Sequence, residues 1–273
     1  LLTSTGSGVA WEDAPAGGPT FKTFGTSSIM IGDTTTGTIN AANYNTGLGV
    51  DVFASLTTGE RNTAVGNKSL YSNTTGWSNT ALGWQTLLNN TTGRLNVSIG
   101  TQSMYNNTTG YENIAIGHYA LTANIAGYEN VSVGPKSLKS NTTGFSSTAI
   151  GYGALQANTT GSYNVAIGKE ALGDNTTANY NTAVGYDAMS ANTTGEESAA
   201  FGYQAMKHTT SGGNAAFGYK CMANATGAYN NTAMGSQALG SATYTGNNNV
   251  ALGISAMRFA TSGYQNVAVG SNA

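Results

Sequence analysis

Large apolar residues alternate with small ones just before a glycine that recurs about every 17 residues. In one unit, Thr63, Ala64 and Val65 precede Gly66, and Leu70 follows four residues later. A similar pattern surrounds the other anchor glycines, which are Gly32, Gly49, Gly83, Gly100, Gly117, Gly134, Gly151, Gly168, Gly185, Gly202, Gly218, Gly235, Gly253 and Gly270. A fixed period of this length predicts a stacked repeat array, in which each unit packs on its neighbours.

Each unit has the chemistry of strands and turns. The alternation in 63–65 is typical of a strand with β-branched residues on one face, and the segment 68–72 is a candidate for a second short strand. Sequences of the type Asn-Thr-Thr-Gly, such as 73–76, predict turns in which the glycine has a positive φ. Glycine recurs too often for a helix. We therefore predict an all-β fold, a parallel β-solenoid (β-roll) of about 14 coils.

The repeat pattern divides the chain into two parts. Residues 28–273 carry the units and are predicted to form the β-solenoid repeat domain. Residues 1–27 lack the pattern and contain Pro15 and Pro19, so we expect a linker or attachment segment there. Because the chain begins without methionine, we also expect that one or both ends have been removed.

Stacked coils place like residues above one another at a spacing of about 4.8 Å. A column of charged residues would repel itself, which agrees with a charged fraction of only 8%. A column of asparagines can form an amide ladder. The residues predicted to do so are Asn62, Asn79, Asn96, Asn113, Asn130, Asn164 and Asn181.

The hydrophobic core of one chain is expected to be thin. We expect the β-branched residues before each anchor glycine and the Leu or Met after it to fill the core. Two columns of small residues, of the Ala64 type and the Ser69 type, would then lie where another chain could approach closely. This arrangement predicts that the coils of several chains pack side by side.

Composition excludes several classes of protein. A net charge of −2 argues against a nucleic-acid partner, because such proteins need a clustered basic surface. No apolar run approaches the roughly 20 residues of a membrane span, so we expect no membrane insertion. The single cysteine, Cys221, excludes an intrachain disulfide and is expected to be a small buried residue.

The repeat resembles that of a known family. Units such as Asn62 to Leu70 (N-T-A-V-G-N-K-S-L) are similar to the head repeat of trimeric autotransporter adhesins (YadA-like) and to units of bacteriophage and algal-virus fibre proteins. The resemblance covers about residues 28–270 and implies a left-handed, homotrimeric β-roll. The opening residues 1–11 resemble the linker ahead of phage fibre modules. The repeat is longer than the typical adhesin unit, which favours a viral fibre.

Two kinds of exposed residue are candidates for function. Glu112 and Glu129 occupy one column and could be a carboxylate pair, but we expect solvated surface residues and no enzymatic activity. Aromatic residues after the anchor or turn glycines are expected to stack in ladders, and could also contact a receptor or glycan. The candidate receptor-surface residues are Trp77, Trp84, Tyr111, Glu112, Tyr128, Glu129 and Tyr152. We expect no metal site and no cofactor.

The sequence therefore predicts a structural and adhesive protein. The preferred hypothesis is the shaft or head of a phage or viral fibre, located on the virion, which binds itself as a homotrimer, a host receptor or glycan, and neighbouring fibre or virion proteins through its N-terminal segment. One alternative is a bacterial surface adhesin or secreted filament subunit at the cell surface. A minor alternative is an ice-binding β-solenoid that uses its threonine columns.

Overall fold

The protein is a parallel β-solenoid. The computed structural model describes residues 42–240 and 243–273, together with the backbone of four short strands before residue 42. The chain makes about 13 turns with a repeat of about 17 residues, and the described residues contain no helix. The predicted all-β parallel β-solenoid with a 17-residue repeat is confirmed, with about 13 turns where about 14 coils were expected.

Each coil contributes one strand of three residues. The strands are β1 Leu2–Ser4, β2 Val9–Trp11, β3 Phe21–Thr23, β4 Ile29–Ile31, β5 Thr46–Leu48, β6 Thr63–Val65, β7 Thr80–Leu82, β8 Val97–Ile99, β9 Ile114–Ile116, β10 Val131–Val133, β11 Thr148–Ile150, β12 Val165–Ile167, β13 Thr182–Val184, β14 Ala199–Phe201, β15 Ala215–Phe217, β16 Thr232–Met234, β17 Val250–Leu252 and β18 Val267–Val269. β3 to β18 form one sheet in chain order, and β1 and β2 pair separately. All neighbouring strands from β4 onward are parallel, with equivalent residues paired, as in Thr63 with Thr80.

The N-terminal segment is described only in part. Within 1–27, the structure describes the strands β1, β2 and β3, and β3 pairs with β4 in the antiparallel direction. The remainder of the expected linker lies outside the described residues, so its role as an attachment segment stays a prediction.

The segment 68–72 is not a second strand, and that prediction is wrong. Lys68 and Leu70 both have left-handed backbone conformations, with φ of 57° and 49°. The segment still bonds to the next coil, because the Leu70 amide donates to the Thr86 carbonyl at 3.1 Å. A left-handed conformation costs a non-glycine residue about 1–2 kcal/mol. Full burial of the Leu70 side chain, worth about 1.5–3 kcal/mol, offsets that cost.

The strand side chains point the opposite way from the prediction. Ala64, in the middle of β6, is fully buried, whereas Thr63 is exposed and Val65 is half-buried. The same alternation holds along the sheet from β5 to β17. Ser69, in the second small column, is also buried. Neither small column can therefore receive another chain.

The interior is filled mainly by one column of large apolar residues and by small residues. The fully buried members of this column are Phe53, Leu70, Leu87, Met104, Leu121, Leu138, Leu155, Leu172, Met189, Met206, Met222 and Leu239. Val52, Leu56 and Tyr244 are fully buried as well. Cys221 is buried among them as predicted, and its burial raises the pKa of the thiol to about 12. The core is thin, because most other inward positions carry only Ala, Ser or Asn.

Two ladders of buried asparagines run along the interior. The first confirms the predicted amide column, and the second, formed by the turn asparagines, was not predicted. In the first ladder, the Asn79 main-chain N–H and Nδ2 both donate to Asn62 Oδ1, at 3.0 and 3.1 Å. Asn79 Nδ2 also donates to the Gly93 carbonyl at 2.9 Å. In the second ladder, Asn90 Nδ2 donates to Asn73 Oδ1 at 2.8 Å. These bonds satisfy amides that would be costly to bury alone.

The turn glycines are needed for space and not for a positive φ, so that prediction is wrong. Gly76 does not have a left-handed backbone, unlike the anchor Gly66 with a φ of 124°. A Cβ at Gly76 would lie 2.3 Å from Asn73 Oδ1 and 2.4 Å from the Gly93 carbonyl oxygen. The turn glycines thus allow the second asparagine ladder to pass close to the backbone.

Candidate functional surfaces

The outer surface of the sheet is an apolar face that runs along the rod. We call the first and third residues of β5 to β18 the sheet face. Its third-residue column contains only large apolar side chains, and Leu82, Ile116 and Phe217 are 46%, 37% and 38% exposed. Its first-residue column contains Thr, Val, Ile and Ala. The hydrophobic residues that the sequence assigned to the core therefore form a continuous exposed surface.

Two polar edges flank the sheet face. We call the two residues after each turn glycine, such as Trp77 and Ser78, the turn edge, and the two after each anchor glycine, such as Trp84 and Gln85, the anchor edge. The turn edge carries Glu60, Arg61, Arg94, Glu112, Glu129, Glu196 and Glu197. The anchor edge carries Asp51, Lys68, Lys136, Lys169, Glu170, Asp187 and Lys220. The turn edge is thus mainly acidic, and every lysine on the two edges lies on the anchor edge.

Aromatic side chains stack along both edges, as predicted. On the turn edge, Tyr111 stacks on Tyr128 with ring centroids 4.9 Å apart, and Tyr128 stacks on Phe145 at 4.7 Å. Arg94 lies one coil before Tyr111, and its guanidinium carbon is 4.4 Å from the centroid of the Tyr111 ring. Loss of water around the ring is the main cause that raises the pKa of Tyr128. Rings in such a stack cover each other's faces.

The anchor edge carries a second, more cationic ladder. Tyr186 stacks on Tyr203 at 5.3 Å, and Tyr203 on Tyr219 at 5.4 Å. The candidate Tyr152 has no ring stacked on it among the described residues, but its hydroxyl accepts a hydrogen bond from Lys136 Nζ at 3.3 Å. Lys169 Nζ lies 5.3 Å from the Tyr186 centroid. This ladder offers tyrosine edges and ammonium groups to solvent.

The predicted surface residues lie on two edges and do not converge on one site. Tyr111, Glu112, Tyr128 and Glu129 share the turn edge, with Trp77 two coils before Tyr111. Trp84 and Tyr152 lie on the anchor edge. Both glutamates are exposed and have left-handed backbones.

Two exposed tryptophans stand outside the aromatic stacks. Among the described residues, no aromatic ring stacks on Trp77 or Trp84, which are 39% and 47% exposed. Trp77 borders a recess of about 300 Å³ that is lined by Thr58, Glu60, Arg61 and Thr75. The stacked rings and the open indoles are therefore chemically different kinds of surface.

A polar cavity that borders the anchor edge was missed by sequence analysis. Asp187, nearly buried, accepts hydrogen bonds through Oδ2 from Lys207 Nζ at 2.9 Å and from Gln204 Nε2 at 3.3 Å. The bond to Asp187 raises the pKa of Lys207. The cavity, of about 270 Å³, opens where Gly153 and Gly173 replace larger residues of other coils. Only this local loss of side chains signals it in the sequence.

The threonines of the turns differ in role. Thr74 Oγ1 donates to the Thr91 carbonyl of the next coil at 3.1 Å, and Thr91 repeats the bond to Thr108. The second threonine of the turn, Thr75, is exposed. On the sheet face, the threonine row of Thr46, Thr63 and Thr80 is interrupted at β8 to β10 by Val and Ile. The threonines of the Thr75 type form an exposed row along the turns, which Ala126 interrupts between Thr109 and Thr143.

Searches of protein-family models and of curated proteins found no match to this chain. Within the part of the chain that the structure describes, no three His, Cys, Asp or Glu side chains are grouped so that they could hold a metal ion. In the same part, no helix is long and apolar enough to span a bilayer.

Proposed function

We propose that this chain is a structural and adhesive module, the shaft or head of a phage or viral fibre, with no enzymatic activity. It assembles as a left-handed homotrimer through its sheet face, and its outer surface binds a host receptor or glycan. The N-terminal segment joins it to neighbouring fibre or virion proteins. It is located on the virion. The alternative, a bacterial surface adhesin or secreted filament subunit, would be located at the cell surface.

The apolar sheet face is the observation that carries this proposal. It extends over 14 successive strands, β5 to β18, which corresponds to a length of about 60 Å. Soluble monomers rarely expose a continuous apolar surface of this kind, because water favours its burial. The thin interior adds to the argument, since coils of one chain bury few large side chains of their own.

The charges of the two edges favour parallel packing. In a ring of parallel rods around a common axis, the turn edge of one protomer lies beside the anchor edge of the next. That arrangement places the acidic side of Glu112, Glu129 and Glu197 near the lysine-bearing side of a neighbour. Antiparallel pairing would place like edges together. The number three is taken from the resemblance of the repeat.

The solution mass tests the proposal. We expect light scattering to give a mass three times 27.7 kDa. Ile116→Glu, which places a charge on the sheet face, should reduce the mass to that of a monomer. Ile125→Glu is the matched control, because Ile125 is similarly exposed but lies in a turn. A stable wild-type monomer would overturn the proposal and make ice binding, measured as thermal hysteresis, the next assay.

A further inference from the structure

The stacked rings of the turn edge are poorly suited to bind a sugar. A pyranose ring binds an aromatic residue by placing its C–H groups on the ring face. The faces of Tyr128 are covered by Tyr111 and Phe145, with interplanar angles of 4° and 10°. Saccharide binding on this edge therefore requires a place where the ladder is interrupted.

The first interruption lies at Trp77. The indole borders the recess that also contains Glu60, Arg61 and the exposed turn threonines Thr58 and Thr75. Glu60 is held from two sides, because Asn43 Nδ2 donates to its Oε1 at 3.1 Å and Arg61 Nη1 lies 3.5 Å from its Oε2. An open apolar platform beside fixed hydrogen-bonding groups is the usual composition of a small-molecule site.

A second recess of the same design lies on the same edge. It has a volume of about 410 Å³ and is lined by residues that include Thr194, Glu196, Thr210 and Tyr229. Asn179 Nδ2 donates to Glu196 Oε1 at 2.9 Å, which repeats the bond between Asn43 and Glu60. Tyr229 is 52% exposed and takes the place of the indole.

A shortened coil opens the second recess. The interval between Gly202 and Gly218 is 16 residues in place of 17, and the turn there contains Gly212 and Gly213. These glycines separate Glu196 from Tyr229 in the stacking direction. A Cβ at Gly212 would lie 2.6 Å from the Glu196 carbonyl oxygen, so the gap cannot be filled without a shift.

We propose that these two recesses bind neutral hexopyranose residues of an extended host glycan. In each, the aromatic ring supports the sugar, while the glutamate and the threonine hydroxyls bond its hydroxyl groups. Acidic sugars are disfavoured, because the first recess pairs one carboxylate with one guanidinium, and the second contains Glu196 and Glu197 without a lysine or arginine in its lining. Neither lining includes a sheet-face residue, so assembly through that face does not bury either recess directly. In the proposed trimer each recess lies at the groove between two protomers, beside the anchor edge of the neighbour, and a bound glycan would follow that groove.

The two recesses lie eight coils apart, which corresponds to about 38 Å along the rod. A glycan long enough to reach both would bind more tightly than either recess alone allows. This inference rests on the proposed adhesive function and names the ligand class and the residues.

The test compares variants on an array of immobilised saccharides. Decasaccharides of glucose, galactose, mannose and N-acetylglucosamine, which are long enough to reach both recesses, are printed beside a decasaccharide of galacturonate and a sulfated decasaccharide. The wild type should bind at least one neutral member, and Trp77→Ala should weaken that binding about tenfold. Tyr229→Ala should weaken it as well. Phe259→Ala, which removes an exposed ring that lies on neither edge and not on the sheet face, is the control and should bind as the wild type does.

Three results would overturn the inference: no binding to any neutral saccharide, binding to the acidic members only, or equal binding by Trp77→Ala and the wild type. Light scattering of each variant separates these results from failure of the proposed function. A trimer that ignores neutral sugars refutes the glycan site alone, whereas a monomer refutes the fibre assembly.

Discussion

Substitution of one ladder asparagine tests how the buried amides hold the coils together. Asn113 is fully buried, and its Oδ1 accepts from the main-chain N–H and from Nδ2 of Asn130, at 3.0 and 3.2 Å. Its own Nδ2 donates to Asn96 Oδ1 at 3.1 Å and to the Gly127 carbonyl at 2.9 Å. Asn113→Ala removes all four bonds at once.

The loss of folding free energy in Asn113→Ala depends on which of the groups bonded to Asn113 keep another hydrogen-bond partner. The Gly127 carbonyl still accepts from Asn124 Nδ2 at 3.0 Å, and Asn96 Oδ1 still accepts from the main chain of residue 113. The main-chain N–H of Asn130 loses its bond and is buried without one, and Asn130 Nδ2 loses one of two. Each buried donor left unsatisfied costs about 1–3 kcal/mol, so we expect Asn113→Ala to destabilise the rod by about 2–4 kcal/mol.

The chain itself supplies the control substitution. Ser147 stands in the first ladder in place of asparagine, and its Oγ accepts the main-chain N–H of Asn164 at 3.2 Å. Asn113→Ser should therefore keep the acceptor for the Asn130 N–H and cost about half as much as Asn113→Ala.

Two measurements check this expectation. Urea denaturation gives the change in the free energy of unfolding, and hydrogen exchange reports the Asn130 amide directly. Exchange at Asn130 should speed up in Asn113→Ala and much less in Asn113→Ser. Equal loss of stability in the two variants, with Asn130 still protected in both, would show that the side-chain acceptor is not what stabilises the coil.

Three further predictions concern other buried positions. Gly76→Ala should destabilise the rod by about 1–3 kcal/mol through overpacking, whereas Gly227→Ala, where a Cβ meets nothing nearer than 3.9 Å, should change the denaturation midpoint little; equal effects would contradict the steric argument. The pKa of Cys221 is raised to about 12, so the buried neutral thiol contributes to stability below about pH 9, and this contribution is lost as the pH rises toward 12. In melting curves recorded from pH 8 to 11, Cys221→Ala should therefore lose less stability than the wild type. Lys207→Met should cost about 2 kcal/mol by leaving Asp187 without its ammonium, and adding Asp187→Asn should recover most of it; a double variant as unstable as the single one would refute the ion-pair explanation.

The sequence was sufficient to predict the architecture, because its information is periodic. The three-residue strands coincide with the predicted alternation, as in Thr63–Val65, and the asparagine columns occupy the interior as ladders. Because the coils are alike, a structural assignment made for one unit applies to every unit, whether it is right or wrong.

Two features could not be predicted from the residues alone. The alternation in a strand separates two faces but does not say which one is inside, and the presence of Val or Ile favoured the wrong choice for residues such as Val65. The left-handed Leu70 was not expected either, since leucine avoids that conformation unless burial compensates for it.

The candidate site was predicted only at the level of residue type. The aromatic and glutamate columns were identified, but their function depends on which rings are covered by neighbours. That distinction follows from the residue one coil away. Arg94, for instance, stands next to Trp77 in the column, where an aromatic ring would have extended the stack of Tyr111, Tyr128 and Phe145 to the indole. The recess near Tyr229 depends on a single missing residue between Gly202 and Gly218.

The pairing of each strand only with its sequence neighbours determines how the rod responds to a pulling force. The hydrogen bonds between coils lie along the rod axis, so tension on the two ends of the chain loads the coil interfaces in series. Every interface then carries the same force, and an end coil, which is held from one side only, detaches first. Each event releases about 17 residues and lengthens the chain by about 50 Å. A single rod would thus extend in many small steps of equal length. The mechanical work would be dissipated coil by coil and not in one cooperative unfolding event.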